Sequence, residues 1–126
     1  MPVDIAGTTV RMSLIRAMRL AVRVTQPDRM KVVNYATYTS VRDKVAALRP
    51  AHREYLTRLL ADGRLVACGP FADGSGALFI YEAASLAAAE EILAADPYQV
   101  GGAFARCRLS PWEIIKANPA LIPATP

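Results

Sequence analysis

Few side chains in this sequence can move a proton, hold a metal or attack an electrophile, and the single histidine, His52, stands first among them. An unperturbed imidazole titrates near neutrality, so a carboxylate within reach makes it a useful proton carrier. Asp96 is the best candidate for that carboxylate, although a plain stop signal ahead of Pro97 accounts for it equally well. His52 shares a helical face with Val45, Leu48, Tyr55 and Leu59, which turns it inward, where a satisfied structural histidine is the competing reading. Arg49 lies three residues earlier, one turn away on a continuous helix, and a guanidinium there can grip a carboxylate or phenolate. A solvated surface arginine is the alternative. Gly69-Pro70, with Asp73 in the glycine-bearing loop that follows, brings backbone and a carboxylate near the end of the sheet, unless it is only a hairpin turn. Tyr35, Tyr38, Tyr81, Tyr98 and Trp112 can line an aromatic pocket, fill the core or cover an interface.

Much other chemistry is excluded by count. A structural zinc takes about four His or Cys ligands, and the chain has one histidine and two cysteines, Cys68 and Cys107. A Ser-His-Asp triad has only His52 to use, and no Gly-x-Ser-x-Gly elbow accompanies it. No Gly-x-Gly-x-x-Gly, Walker-type loop or metal-spaced cysteine pair appears. An enzyme of this sequence is therefore expected to use neither a bound nucleotide nor a metal, with no cofactor assigned.

The 126 residues suffice for one core and leave no room for a second catalytic domain. Apolar residues make up 53% and charged residues 21%, with mean hydropathy +0.21, too oily for a disordered chain. No apolar run approaches the length needed to cross ~30 Å of hydrocarbon, so no membrane partner is expected. The net charge of +4 suggests nucleic acid until it is located. Residues 1–29 hold five arginines against Asp4 and Asp28, whereas residues 30–126 hold ten basic and nine acidic side chains. The remainder is close to neutral and shows no basic stripe interleaved with aromatics, so no nucleic-acid partner is expected.

Residues 1–29 read as a basic N-terminal extension: Arg-rich, weakly amphipathic through Leu14, Ile15, Met18, Leu20, Val22 and Val24, and closed by Gln26-Pro27-Asp28. A cleaved organelle-targeting peptide, a surface helix, a disordered tail and a mis-called start with Met30 as the true first residue all fit it. A secretory core and cleavage box are missing, so export is not expected.

These candidates need elements to hold them. Met30 to Thr39 is rich in β-branched and aromatic residues and predicts a first strand. Ser40 and Asp43 form a capping pattern ahead of Val41, Val45, Leu48, His52, Tyr55, Leu56 and Leu59, which predict a helix ending near Asp62-Gly63. Pro50 lacks an N–H and suits a first turn better than a helix interior, so a break around Leu48-Arg49 is expected. Arg64 to Cys68, closed by Gly69-Pro70, and Ala77 to Glu82 predict a hairpin with a ligand-sized loop. Ser85 caps an alanine-rich helix from Leu86 to Ala95, stopped by Asp96-Pro97. Gly101-Gly102 then leads into a last strand, Phe104 to Leu109.

Strand, helix, strand, strand, helix, strand is the split βαβ or ferredoxin-like plan: an α+β fold whose antiparallel sheet carries two helices on one face. The bare face is expected to be covered by a second copy packing sheet on sheet, giving a homodimer. Strands two and four are the edges of this plan, so Cys68 and Cys107 are too far apart to bridge. Two free thiols suit a reducing cytoplasm, the expected location.

Arg49-Pro-Ala-His52-Arg-Glu-Tyr-Leu56, Asp62-Gly-Arg-Leu65, Cys68-Gly-Pro-Phe71, Gly76, Ser85-Leu-Ala-Ala-Ala-Glu90, Asp96-Pro-Tyr98 and Pro111-Trp112 stand in an order that resembles the YCII-related (YciI-like) family. The likeness runs from about Met30 to Ile115, leaving out residues 1–29 and a Pro-rich tail, 116–126. It implies a dimeric α+β barrel of ferredoxin-like subunits with a site around a histidine and an aspartate, here His52 and Asp96. Arg49, Gly69, Pro70 and Tyr98 match motif positions that shape the same pocket, and Asp73 stands beside them. One branch resembles a dehydrochlorinase of chlorinated hydroxyquinols, and the wider fold includes muconolactone isomerase. The expected function is a cofactor-independent lyase or isomerase: Asp96 orients and stabilises the imidazolium, His52 moves a proton of a small cyclic or aromatic acid, and Arg49 steadies its anionic group. The alternatives are a non-catalytic small-molecule-binding or accessory dimer and, ranked lower, a cofactor-independent monooxygenase of the same barrel class.

Overall fold

The computed structural model describes residues 29–125. The readings of the N-terminal extension therefore lie outside the described residues, Arg29 excepted. The elements run β1 (Met30–Tyr38), α1 (Arg42–Ala61), β2 (Leu65–Pro70), β3 (Gly76–Ala83), α2 (Leu86–Ala94), a short α3 (Pro97–Val100), β4 (Phe104–Trp112) and a 3-10 turn at Pro119–Leu121. All pairings are antiparallel and the strand order is β2-β3-β1-β4. This is the α+β, ferredoxin-like plan, with β2 and β4 as its edges.

Period-two alternation decides which face each strand buries. In β1, Val32, Asn34 and Ala36 are buried, while Val33, Tyr35 and Thr37 point the other way. Register places Val32 beside Tyr81, Asn34 beside Phe79 and Ala36 beside Ala77, so one face of the sheet is apolar and largely aromatic. Onto it pack Val45, Tyr55 and Leu59 of α1 and Ala89, Ile92 and Leu93 of α2, forming a single core. The Tyr55 hydroxyl donates to the carbonyl of Ile92 at 2.7 Å, fastening one helix to the other with a polar group that burial would otherwise penalise. Burial also pushes the hydroxyls of Tyr55 and Tyr81 well up from the usual phenol range, and that of Tyr81 accepts from Asn34 Nδ2. The opposite face carries Val33, Leu78 and Ile80, half-buried, with Tyr35 and Trp112 more exposed. The Lys31–Glu82 pair, 2.9 Å apart, lies toward one end of it.

Four local expectations are corrected. α1 is continuous from Arg42 to Ala61 with Pro50 inside it, so the break at Leu48-Arg49 does not occur. The inward stripe Val45, His52, Tyr55 and Leu59 continues across Pro50, and packing along it outweighs the hydrogen bond to Ala46 that the proline lacks. Ser40 does not cap α1; the cap position is Val41, with no side-chain bond. Gly69 and Pro70 belong to β2 and Pro111 to β4. Both prolines lie on edge strands, where a missing N–H costs the ladder least. Asp96 follows α2, but it also opens α3 as its N-cap.

No helix among the described residues is long and apolar enough to cross a membrane.

Candidate active site

His52 reaches the site because α1 turns its buried stripe toward the sheet, and Asp96 because the chain must turn between α2 and α3. As the N-cap of α3, Asp96 accepts the backbone N–H of Tyr98 on Oδ1 at 2.8 Å. The same oxygen lies 2.7 Å from His52 Nδ1. An ionised carboxylate can only accept, so Nδ1 carries the hydrogen and donates to Asp96. That fixes the tautomer and leaves Nε2, when the ring is neutral, as a lone-pair nitrogen. The two side chains are 6% and 1% exposed, so the pair sits in a medium that strengthens its attraction and penalises either charge alone. Asp96 Oδ2 is buried with no hydrogen-bond partner among the described residues, which leaves the Nδ1–H donor as the carboxylate's only side-chain bond there.

Aromatic rings fix the imidazole plane. Tyr98 stacks on it with centroids 3.7 Å apart and planes 6° from parallel. Phe79 and Phe104 meet it edge to face at 5.7 Å and 6.3 Å. One short segment thus supplies both the carboxylate and the stacking ring: Asp96 caps α3, the capped N–H belongs to Tyr98, and Pro97 between them begins the helix. The parallel stack holds the imidazole plane against rotation, as the Asp96 bond holds its edge.

His52 lies in the wall of a cavity of about 860 Å³, between α1, the end of β1 and the β2–β3 hairpin. This is within the usual range for small-molecule sites. Arg49, Gly69, Pro70 and Tyr98 line it. Asp96 stands behind the imidazole, and Asp73 is not among the lining residues. Asp73 Oδ1 accepts the N–H of Ser75 at 2.9 Å, and hydrogen bonding from the Ser75 side chain and then its backbone holds the carboxyl below the usual carboxylate range while the side chain stays exposed. Of the aromatic candidates, Tyr38 and Tyr98 line the cavity, Tyr81 is in the core, and Tyr35 and Trp112 lie on the open sheet face. Burial raises the Tyr38 hydroxyl, helped by Tyr98 and opposed by the charges of Arg49 and Arg53. Arg42, Arg53 and Cys68 also line the cavity. Arg42 and Arg53 went unremarked in sequence, although with Arg49 they fall at i, i+7 and i+11, a helical stripe that periodicity can reveal.

No group of three or more His, Cys, Asp or Glu able to hold a metal ion occurs among the described residues. The arrangement is an imidazole oriented by a buried carboxylate in the wall of a cavity, suited to taking up and returning a proton.

The family model of the YCII-related domain matches residues 30–113. An uncharacterised Bacillus subtilis (strain 168) protein, YjpA, is 40% identical over 65 residues, 52% of this chain and 75% of that protein. The solved structure of 5-chloro-2-hydroxyhydroquinone dehydrochlorinase (TftG) from Burkholderia phenoliruptrix AC1100, in complex with 2,5-dihydroxybenzoquinone, is similar with a TM-score of 0.59 at 24% identity. The similarity covers 67% of this chain and 94% of that one. At that identity it speaks for the fold.

Proposed function

The chain belongs to the YCII-related domain family, and from that membership and the geometry of His52 we propose that it is a small-molecule enzyme of lyase or isomerase type, working by proton transfer. The observation that carries this reading is the 2.7 Å contact of His52 Nδ1 with buried Asp96, on a ring that also lines the cavity. Asp96 holds the tautomer, and Nε2 accepts a proton from a small cyclic or aromatic acid whose anionic group is steadied by Arg49. In the lyase form a proton goes to Nε2 and chloride leaves with its bonding electron pair. The net loss is HCl, a redox-neutral step that calls for no external oxidant. In the isomerase form His52 returns the proton at a second carbon.

Two measurements test this. Imidazole ¹⁵N shifts should report hydrogen on Nδ1 in the wild type and loss of that preference in Asp96→Asn; one histidine makes the assignment unambiguous once tags are removed. Chloride release from 5-chloro-2-hydroxyhydroquinone, and proton exchange in D₂O with a panel of aromatic and cyclic acids, should be abolished by His52→Ala in a chain that remains folded. Full turnover in that variant defeats the mechanism.

The 5% exposure of His52 favours a second reading, a non-catalytic small-molecule-binding dimer in which the pair only shapes the pocket. Saturable binding without turnover of any panel member distinguishes it. In either case we propose that two copies pair through the open sheet face, the assembly tested below.

A further inference from the structure

Arg42, Arg49 and Arg53 all line the cavity, and none forms an ion pair with a described residue. No aspartate or glutamate is among the lining residues. On the same helix Arg58 is paired with Glu54 at 3.2 Å, and in the following turn Arg64 with Asp62 at 2.8 Å, whereas the cavity offers its three arginines no such carboxylate. Three like charges around a concave wall repel one another and focus a positive potential into it, an arrangement relieved by an anionic occupant.

The spacing sets the shape of that occupant. At 100° per residue the three arginines fall within about 40° of arc, and at 1.5 Å rise they extend over about 16 Å of helix. Arg49 and Arg53 are one turn apart and flank His52, and both act on the Tyr38 hydroxyl. Arg42 is about 10 Å further toward the helix N-terminus. There its Nη1 lies 3.7 Å from where a Cβ on Gly74 would be, against the β2–β3 loop. A single carboxylate can engage the Arg49–Arg53 pair, while Arg42, its guanidinium against the β2–β3 loop, is placed for a second group. The one carboxylate of that loop, Asp73, is bonded to Ser75.

We propose that the ligand carries two separated anionic groups, carboxylate or phosphate: one held by Arg49 and Arg53 beside His52, the other by Arg42 at the mouth of the cavity. This rests on the reading of the cavity as the ligand site, but not on catalysis there. The distal group supplies binding energy away from the reacting atoms, which orients the reacting end against Nε2.

Calorimetric titration of the full chain with benzoate, terephthalate and 4-carboxyphenyl phosphate tests it. Both ligands with two anionic groups, terephthalate at net charge −2 and the carboxyphenyl phosphate at about −2.5 to −3 near neutral pH, or the one with the preferred distal group, should bind at least about tenfold tighter than benzoate at low ionic strength. The preferred dianion identifies whether the mouth is built for carboxylate or phosphate. Arg42→Gln should remove the advantage of the two-group ligands over benzoate while weakening benzoate itself much less, Arg49→Gln should weaken every ligand, and Arg58→Gln should weaken none. Arg42 is exposed, so its replacement should not disturb folding. Equal affinities for monoanion and dianions, an equal effect of Arg42→Gln on all three, or no saturable binding at millimolar concentrations would overturn the proposal. Failure of proton transfer instead leaves the dianion preference intact and shows as absent turnover, so the two failures are distinguishable.

Discussion

Asp96 does two jobs with one oxygen. Its Oδ1 accepts from Tyr98 N and from His52 Nδ1, so the bond that terminates a turn also orients the imidazole. Asparagine can keep the cap while removing the charge. Asp96→Asn should therefore fold like the wild type yet lose most turnover, and His52→Gln should lose about 10²- to 10⁴-fold in kcat, the usual range for a positioned general base. Steady-state kinetics beside circular dichroism separate these effects from unfolding. Cys68 gives a pH test. The residue as a whole is exposed, but the surrounding cavity wall desolvates its sulfur and raises the thiol above the ordinary range, and the Asp96 charge adds to that, so less thiolate is present at pH 8 than in a free thiol. Alkylation by iodoacetamide should be several-fold slower than for a model thiol, and faster in Asp96→Asn. By the same sign, the folded state holds this proton more tightly than the unfolded chain does. Cys68 thus contributes stability at neutral pH that fades as pH rises through the thiol range.

At the scale of elements, α1 and the α2–α3 turn present the two halves of the pair, and close packing holds them in place. A Cβ on Gly101 would lie 2.5 Å and 2.7 Å from the two Leu48 methyl carbons and 3.1 Å from the Pro97 carbonyl, so only glycine lets the end of α3 approach α1 this closely. Gly101→Ala should cost about 1–3 kcal/mol in urea unfolding, and Leu48→Ala in the same chain should return part of it, a coupling read from the double-mutant cycle. Gly76 differs in kind. A Cβ there would meet the backbone carbonyl of Ala36 across the β1–β3 ladder, and no side chain can move aside. Gly76→Ala should cost ~3 kcal/mol or more, with no second-site side-chain rescue. The strand and helix order was legible because periods of two and 3.6 are local signals. The continuity of α1 was not, since Pro50 argues locally for a break and only the apolar stripe packed against the sheet overrides it.

For the whole molecule, the face opposite the helices presents Val33, Tyr35, Leu78, Ile80 and Trp112 on one side of a single sheet. Light scattering should give twice the chain mass, and Tyr35→Lys with Ile80→Lys should give a monomer that keeps its far-UV spectrum. A monomeric wild type at micromolar concentration rules out that pairing. The lone histidine, the helical phase that turns His52 inward and the βαββαβ order are properties of the amino-acid string, because count and local periodicity determine them. That Asp96 meets His52 at 2.7 Å follows only from the packed fold, across 44 residues of chain. So does the cavity itself, formed where the β2–β3 hairpin and the end of β1 meet the face of α1 that carries Arg42, Arg49 and Arg53, whereas the Asp73–Ser75 bond is local to its turn. Distances between residues far apart in sequence are settled by how helices and sheet bury their apolar faces together, and no local pattern encodes that sum.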